Sequence, residues 1–366
     1  MTQSTNKPIV IMAGGTGGHV FPALAVAEYL RASGETVVWI GTRAGIEARV
    51  VPAANFKIEW LSIQGLRGKG AVALVMAPFK LIRACWQAFF MLRRLRPKAV
   101  LGMGGYVTGP GGLMASILNI PLFLHEQNSV IGLTNRLLSR FARRSYFGFP
   151  EATKNIPRSE FIGNPVRSEL TDLPAPEIRL ASHAGEPMKL LVIGGSLGAA
   201  RLNRELPLAI AQIDADQRPG IKHQCGQDHL QACEAWYREA RVEAEIIEFI
   251  DDMRSAYAWA DLVVCRAGAL TIAELSAVGI ASILIPFPYA VDNHQYHNAR
   301  FLEQKQAARI LTEDKLGAES LALMLLYFQQ NRDELIATSV RARAQAKIDA
   351  TERLGMGILA GATLCP

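Results

Sequence analysis

The chain has only five cysteines in 366 residues, Cys85, Cys225, Cys233, Cys265 and Cys365, and no two of them form a CxxC pair. Neither a disulfide framework nor a zinc knuckle is indicated, and a reducing, cytoplasmic setting fits best. Short-period repeats are also lacking: 31 Gly and 18 Pro follow no regular spacing, which excludes a collagen-like or low-complexity chain. With 50% hydrophobic and 20% charged residues, the composition is that of a folded protein of roughly two domains. The stretch MTQSTNKPIVIMAGGTGGH has one Lys and a short apolar run broken by Gly and His, so it does not read as a signal peptide.

Two nucleotide motifs are missing as well. Gly15 and Gly17 are followed by Val20 where a dinucleotide fingerprint needs its third glycine. The next candidate strand, residues 36–40, runs into Gly41, Thr42 and Arg43 rather than an acid, so NAD binding is disfavoured. No GxxxxGK[ST] occurs, which excludes a P-loop nucleotidase. His294 and His297 lie three residues apart without a third ligand or a zinc-type spacing, so neither a metal site nor a cofactor is expected.

The most informative absence is of acid. No Asp or Glu stands between Trp60 and His125, a span that holds Arg67, Lys69, Lys80, Arg83, Arg93, Arg94, Arg96 and Lys98. Residues 1–165 carry a net +12 and residues 166–366 a net −6, so the overall +6 hides a basic first half. Within that half, residues 71–98 place Val75, Phe79, Ile82, Trp86 and Phe89 at helical spacing, with Leu74, Leu81, Ala88 and Leu92 as a second stripe. Pro78, Lys80 and Arg83 interrupt the run, which makes it a poor candidate for spanning a bilayer. Two readings stay open: a core helix with solvated basic residues, or a helix lying on an anionic membrane. The uncharged stretch 99–124 is so rich in glycine that it reads as strand, turn, helix and strand, and no membrane span is expected.

Strand, glycine turn and helix follow one another at 8–30 and again at 189–206, and each half repeats the unit at 99–112 and 261–274. This alternation predicts an α/β protein with parallel sheets, two Rossmann-like domains facing across a cleft. The expected domains are 1–164 and 165–340, with a helical segment 341–366 packing back on the first and a linker at 161–187. A helix is expected over Asn331 to Met356. Four glycine turns in two pairs bring backbone N–H groups and helix dipoles together, an arrangement suited to a phosphorylated ligand. His19 follows GGTGG at a helix start; His125, Glu126 and Asn128 follow another strand and should reach the same cleft. An imidazole or a carboxylate there could serve as a base, and His125 reads equally well as a satisfied, half-buried polar group.

The motifs GGTGGHVFPALAVAEYL, GMGGYVTGPGG, LHEQNSVIGLTNRLL, FIGNPVR, GGSLGA, CRAGALTIAEL and IPFPYAVDNHQYHNA occur in this order over nearly the whole chain. Together they resemble the MurG family, UDP-N-acetylglucosamine transferases acting on undecaprenyl-pyrophosphoryl-MurNAc-pentapeptide in bacterial peptidoglycan synthesis. The resemblance implies the GT-B fold and an inverting, metal-independent transfer from UDP-GlcNAc to the MurNAc 4-hydroxyl of lipid I, giving lipid II, by a peripheral enzyme on the cytoplasmic face of the inner membrane. It also implies a donor site in the second domain. Ser196 would meet the diphosphate, Ile250 the uracil through its backbone, Ala269, Leu270 and Thr271 the phosphates, and Glu274 the ribose. Gln295, Asn128 and Arg167 would complete the sugar and phosphate contacts, with Thr16, Gly17 and Gly18 reaching in from the first domain. His19 is the preferred base, Glu126 the runner-up and Tyr106 a positioning group. The segment 286–295 reads one residue longer than expected for some relatives, which loosens the alignment of Asp292 and Gln295. Membrane contact is expected through Val75, Phe79, Ile82, Trp86, Arg83, Arg93 and Arg94. Two alternatives are weighed against this: a basic patch holding nucleic acid, with aromatics for stacking, and a GT-B transferase with a soluble acceptor.

Overall fold

A computed structural model describes residues 7–63, 76–183, 185–195 and 199–363. The chain divides into two compact units, Met1–Arg167 with Ile348–Pro366, and Ser168–Lys347. The first unit holds β1 (Ile9–Met12), β2 (Val37–Gly41), β3 (Lys57–Trp60), β4 (Ala99–Gly102), β5 (Leu122–Glu126), β6 (Arg144–Phe147) and β7 (Ser159–Phe161). They form one parallel sheet in the order β3-β2-β1-β4-β5-β6-β7. The second unit holds β8 (Lys189–Ile193), β9 (Gly220–Gln224), β10 (Glu245–Ile247), β11 (Leu262–Cys265), β12 (Ala281–Leu284) and β13 (Arg309–Ile310). Its sheet is also parallel, in the order β10-β9-β8-β11-β12-β13. Helices cover both faces of such sheets, which is why IVIM of β1 and LVVC of β11 are apolar at every position and fully buried.

Both sheets reverse their order between two central strands, β1 and β4 in the first unit, β8 and β11 in the second. The chain leaves these strands in opposite directions, and a crevice opens beyond their carboxyl ends. The four glycine turns of the sequence are the loops after these four strands.

Helix Ala77–Leu95 buries Ala84, Ala88 and Leu92 against the first sheet's core. Pro78 lies in its first turn, where a missing N–H costs nothing, so it starts the helix rather than interrupting it. The expected second stripe divides. Ala88 and Leu92 face inward, whereas Leu81 joins Phe79, Ile82, Trp86 and Phe90 on the exposed side. Val75 lies outside the described residues. Among the described residues, no helix is long and apolar enough to cross a membrane.

The boundary between the two units, Arg167 to Ser168, falls within the expected linker 161–187, and helices Ser168–Thr171 and Pro176–Ala181 form in it because Leu170, Leu173 and Leu180 find core to bury in. Arg179 is buried with them and donates to the carbonyls of Val278 and Gly279, closing the end of helix Ala269–Val278. The helix expected over 331–356 is two helices. Arg332–Arg343 buries Leu335 in the second unit, while Ala350–Thr363 buries Leu354 and Ile358 against helix Gly17–Ala32 in the first.

That last helix approaches the first unit closely through glycine. A Cβ on Gly355 would overlap the Tyr29 ring, one on Gly357 the Tyr146 hydroxyl and one on Gly361 the Phe123 ring. Arg353 adds an ion pair to Glu160 at 2.7 Å. Gly361→Val should therefore lower stability in urea denaturation by about 1–3 kcal/mol, the usual cost of overpacking. Met356→Lys, at an exposed position of the same helix, should change it by less than about 0.5 kcal/mol. Equal effects would show that the close approach carries no weight.

Candidate active site

The first switch point is built from interlocked glycine loops. Gly104 and Gly105 both adopt positive φ, +103° and +80°, which only glycine takes without strain. Space is as restrictive as conformation there. A Cβ on Gly104 would lie 2.6 Å from His19 Nδ1, and one on Gly105 would run into the Gly14 backbone. The loop after β4 is thereby pressed against the loop after β1. Thr16 caps helix Gly17–Ala32 with extended backbone, and the first turn contains no acid. The first helical bonds run from His19 N and Val20 N to the Thr16 carbonyl, so the amides of Gly17 and Gly18 precede the ladder at a largely exposed surface and suit an anion. Arg167 stands beside this terminus, its guanidinium 5.9 Å from the centre of the Phe21 ring. Tyr106, at the tip of the neighbouring loop, is half exposed.

A buried carboxylate that sequence reasoning passed over holds the loop after β1. Glu47 is fully buried; one oxygen accepts from Gly15 N at 2.9 Å, the other from Thr42 N at 2.9 Å and Thr42 Oγ1 at 2.7 Å. Its position at the start of helix Glu47–Ala53 gave no hint of this reach back to the first strand's loop.

Glu126 acts in a similar way on the loop that follows β5. Its carboxylate accepts from Asn128 N (3.1 Å), Asn128 Nδ2 (3.4 Å), Gly132 N (3.1 Å) and Asn135 Nδ2 (2.9 Å). Taking up a proton would cost the loop some of these bonds. The arrangement makes Glu126 a brace that presents Asn128. His125 does not reach the surface. It is fully buried, with Nε2 3.0 Å from the Gly163 carbonyl and Nδ1 3.2 Å from Gln127 Nε2. Gln127, between Glu126 and Asn128 in this motif, is 2.9 Å from His19 Nδ1 through its Oε1.

In the second unit, helix Ala269–Val278 starts directly after β11, capped by Gly268 in extended conformation. Ala269, Leu270 and Thr271 form its first turn, so their amides share one terminus. Glu274 lies one turn on, nearly buried, and accepts from Tyr257 Oη at 3.2 Å. Helix His294–Glu303 packs alongside, and Asn298 ties it to the Ala267 carbonyl in the loop after β11. Gln295 opens that helix and accepts from Phe287 N at 2.9 Å, which fixes the 286–295 segment whose length departs from the expected pattern. Ile250 is half-buried in the loop before helix Met253–Trp259. Gln224 was not foreseen: its side chain pairs with both N and O of Gly195 and donates to Glu248 O at 2.8 Å. It thus joins the glycine loop after β8 to the segment leading to Ile250. Ser196 lies outside the described residues.

Two parallel sheets with glycine loops at both switch points, and helices that start beyond them, make up two Rossmann-like units, the architecture of the GT-B fold. Residues 9–147 match the glycosyltransferase family 28 N-terminal domain and residues 189–354 its C-terminal domain. The chain is 52% identical to a UDP-N-acetylglucosamine--N-acetylmuramyl-(pentapeptide) pyrophosphoryl-undecaprenol N-acetylglucosamine transferase of Aromatoleum aromaticum, over 94% of this chain and 95% of that protein. A protein of the same name from Alkalilimnicola ehrlichii is also 52% identical, over 94% and 96%. The crystal structure of Acinetobacter baumannii MurG superposes with a TM-score of 0.82 at 40% identity, covering 97% of this chain and 99% of that one. A calicheamicin glycosyltransferase shares the fold alone, with a TM-score of 0.68 at 16% identity. The chain belongs to the MurG family within glycosyltransferase family 28.

Each unit also contains one histidine kept neutral by its surroundings. Burial pushes His125 down to about 4, overcoming the opposing pull of its bond to Gly163. Burial alone takes His223 to about 3, where its ring nitrogens meet Tyr237 Oη and Asn203 Oδ1. Between about pH 6.5 and pH 4 the unfolded chain binds protons that these folded histidines refuse. Stability is therefore complete above about pH 6.5 and falls as the pH drops toward 4, with each histidine contributing up to about tenfold per pH unit to the unfolding equilibrium. Urea midpoints measured from pH 7 to 4.5 should decline, and less steeply in His223→Gln. A flat profile would contradict this account.

Proposed function

We infer that the protein transfers GlcNAc from UDP-GlcNAc to the MurNAc 4-hydroxyl of undecaprenyl-pyrophosphoryl-MurNAc-pentapeptide, turning lipid I into lipid II in peptidoglycan synthesis. The observation that carries this is identity at about half of all positions, end to end, with proteins named for that reaction. The transfer is a single displacement with inversion. The 4-hydroxyl attacks the anomeric carbon, its proton passes to His19, and the bond to the diphosphate breaks with its electron pair leaving on UDP. Negative charge grows on that leaving group, and the N-terminus of helix Ala269–Val278, together with Arg167, stabilises it.

The donor roles are these. Glu274 accepts hydrogen bonds from the ribose, and Ile250 meets the uracil through backbone groups. Ala269, Leu270 and Thr271 supply amides to the phosphates, with Ser196 on the diphosphate. Gln295, Asn128 and Arg167 complete the sugar and phosphate contacts, and Thr16, Gly17 and Gly18 reach in from the first domain. Tyr106 positions the acceptor beside His19. Glu126 holds the loop that carries Asn128.

The enzyme works as a peripheral protein on the cytoplasmic face of the inner membrane. Supporting this is the outer side of helix Ala77–Leu95, where Phe79, Ile82, Trp86 and Phe90 are all more than half exposed and Trp86 stacks on Phe90 with ring centres 5.8 Å apart. Lys80, Arg83 and Arg93 accompany them, whereas Arg94 pairs with Glu59 at 2.7 Å and contributes less. Exposed Leu113 and Ile117 on helix Thr108–Ile117, and Leu133, Leu137 and Phe141 beyond it, extend the apolar area. Rings that stack on one another leave fewer faces for bases, so a nucleic-acid reading is not favoured.

Incubation with UDP-GlcNAc and a short-chain lipid I analogue should release UDP. A folded protein that binds UDP but releases none would overturn the assignment. His19→Ala should reduce turnover by roughly a hundredfold or more with donor affinity nearly unchanged. Glu274→Ala should weaken UDP binding by roughly ten- to a hundredfold, the range for hydrogen bonds to a charged group. For the membrane face, flotation with anionic vesicles should fall at least about tenfold when Trp86 and Phe90 are both changed to Ser. Undiminished flotation would place the contact elsewhere.

A further inference from the structure

Gln127 is 1% exposed, and its amide lies between two imidazoles. The hydrogen bonds around it admit one solution, because both fixed points are backbone carbonyls, which only accept. The Gly163 carbonyl lies 3.0 Å from His125 Nε2, so that nitrogen carries the proton. Burial keeps His125 neutral, so its Nδ1 is an acceptor. The Met103 carbonyl lies 2.8 Å from Gln127 Nε2, which confirms that the amide nitrogen points inward. Its second hydrogen is shared between His125 Nδ1 at 3.2 Å and the His125 carbonyl at 3.4 Å. Gln127 Oε1 is then left facing His19, 2.9 Å from Nδ1, and it too only accepts.

We infer that Gln127 is a positioning residue that fixes neutral His19 in the Nδ1–H tautomer, leaving the Nε2 lone pair free to take the acceptor's proton. This rests on the reading of His19 as the base. The order of bonds runs from Gly163 through His125 and Gln127 to His19, all within the first unit. It gives a buried histidine and a buried glutamine a joint task. His125 orients the amide, and the amide orients His19. When the attacking hydroxyl passes its proton to Nε2, the imidazolium formed keeps donating from Nδ1 to the Gln127 oxygen, and that bond gains strength from the charge. A neutral amide thus does for His19 what a carboxylate does in a catalytic triad, selecting the tautomer without adding a negative charge beside the leaving diphosphate.

The test uses full-length protein with 15N-labelled imidazoles, His19 being assigned from the spectrum of His19→Gln. In the wild type, His19 should show a protonated Nδ1 and an unprotonated Nε2. Gln127→Met removes the acceptor; the Nδ1–H signature should fade in favour of Nε2–H. Its kcat should drop roughly a hundredfold while KM for UDP-GlcNAc stays within about twofold. Gln127→Glu, which keeps an oxygen facing Nδ1, should recover the signature and part of the kcat. A wild-type His19 protonated on Nε2, or a Gln127→Met protein with its His19 tautomer unchanged, would overturn the inference. Should Gln127→Met not fold, the wild-type spectrum decides alone. If His19→Ala turns over normally, the base assignment fails while the spectra still judge the tautomer, so the two failures are distinguishable.

Discussion

The candidate site in each unit is built on loops beyond the carboxyl ends of parallel strands, above all where two adjacent strands send the chain in opposite directions. At such a switch point the sheet supplies no further backbone partners, yet the loops must stay close together and keep their outward amides available. The molecule meets that demand with buried polar side chains that bind the inner side of each loop. Glu47 takes Gly15 N, Gln224 takes both N and O of Gly195, and Glu126 takes Gly132 N and the amides of Asn128 and Asn135. Each brace consumes the inward hydrogen bonds, so the outward ones can be offered to a ligand. Glycine is then required by geometry rather than by flexibility, since Gly104 and Gly105 combine positive φ with contacts that leave no room for a side chain.

The same logic separates the polar groups that hold the site from those that act in it. A carboxylate with four donors around it is well suited to fixing a loop and poorly suited to exchanging a proton, because each protonation would loosen what it holds. His19 is the reverse case. It is half-buried, and its Nδ1 is engaged by one neutral partner, with no engagement of its other nitrogen among the described residues. Charge placement follows from this: the full negative charges of Glu47 and Glu126 are turned inward onto amides, and the surface near the helix N-terminus keeps the cation Arg167.

The architecture was legible because it is written in local pattern. Continuous apolar runs such as IVIM and LVVC, each ending in a glycine turn and a helix, can hardly be anything but buried parallel strands. Candidate ligand-facing residues could be found by the same rule, since they follow strand ends. What escaped were the braces. Glu47 sits 32 residues from the amide it binds and Gln224 sits 29 residues from its glycine, and nothing in a one-dimensional pattern separates them from ordinary helix-start and strand-end residues. Gln127 was overlooked beside the more conspicuous His125, Glu126 and Asn128. Helix limits near 331–356 were misjudged for a related reason: helical spacing continues across the break, and only the two different cores, one for Leu335 and one for Leu354 and Ile358, explain why the chain must turn.

Charge and apolar surface complete the account. On the proposed function, the acceptor carries a pyrophosphate and a long polyprenyl chain, and its reactive hydroxyl would lie close to an anionic surface to which the acceptor-binding unit would be attracted without being immersed. A helix whose inner side is small and apolar, Ala84, Ala88 and Leu92, can sit tightly on its sheet while its outer side keeps large rings and long cations in the solvent. Basic side chains supply attraction at a distance set by the Debye length, and the rings supply the short-range term on contact. Neither requires a membrane span. On that proposal an acid within this surface would weaken the first effect and desolvate poorly in the second, and helix Ala77–Leu95 carries none. Glu59, just outside the acid-free run from Trp60 to His125, pairs with Arg94 and Lys57, and among the described residues no ion pair is formed by Lys80, Arg83 or Arg93 beside the rings.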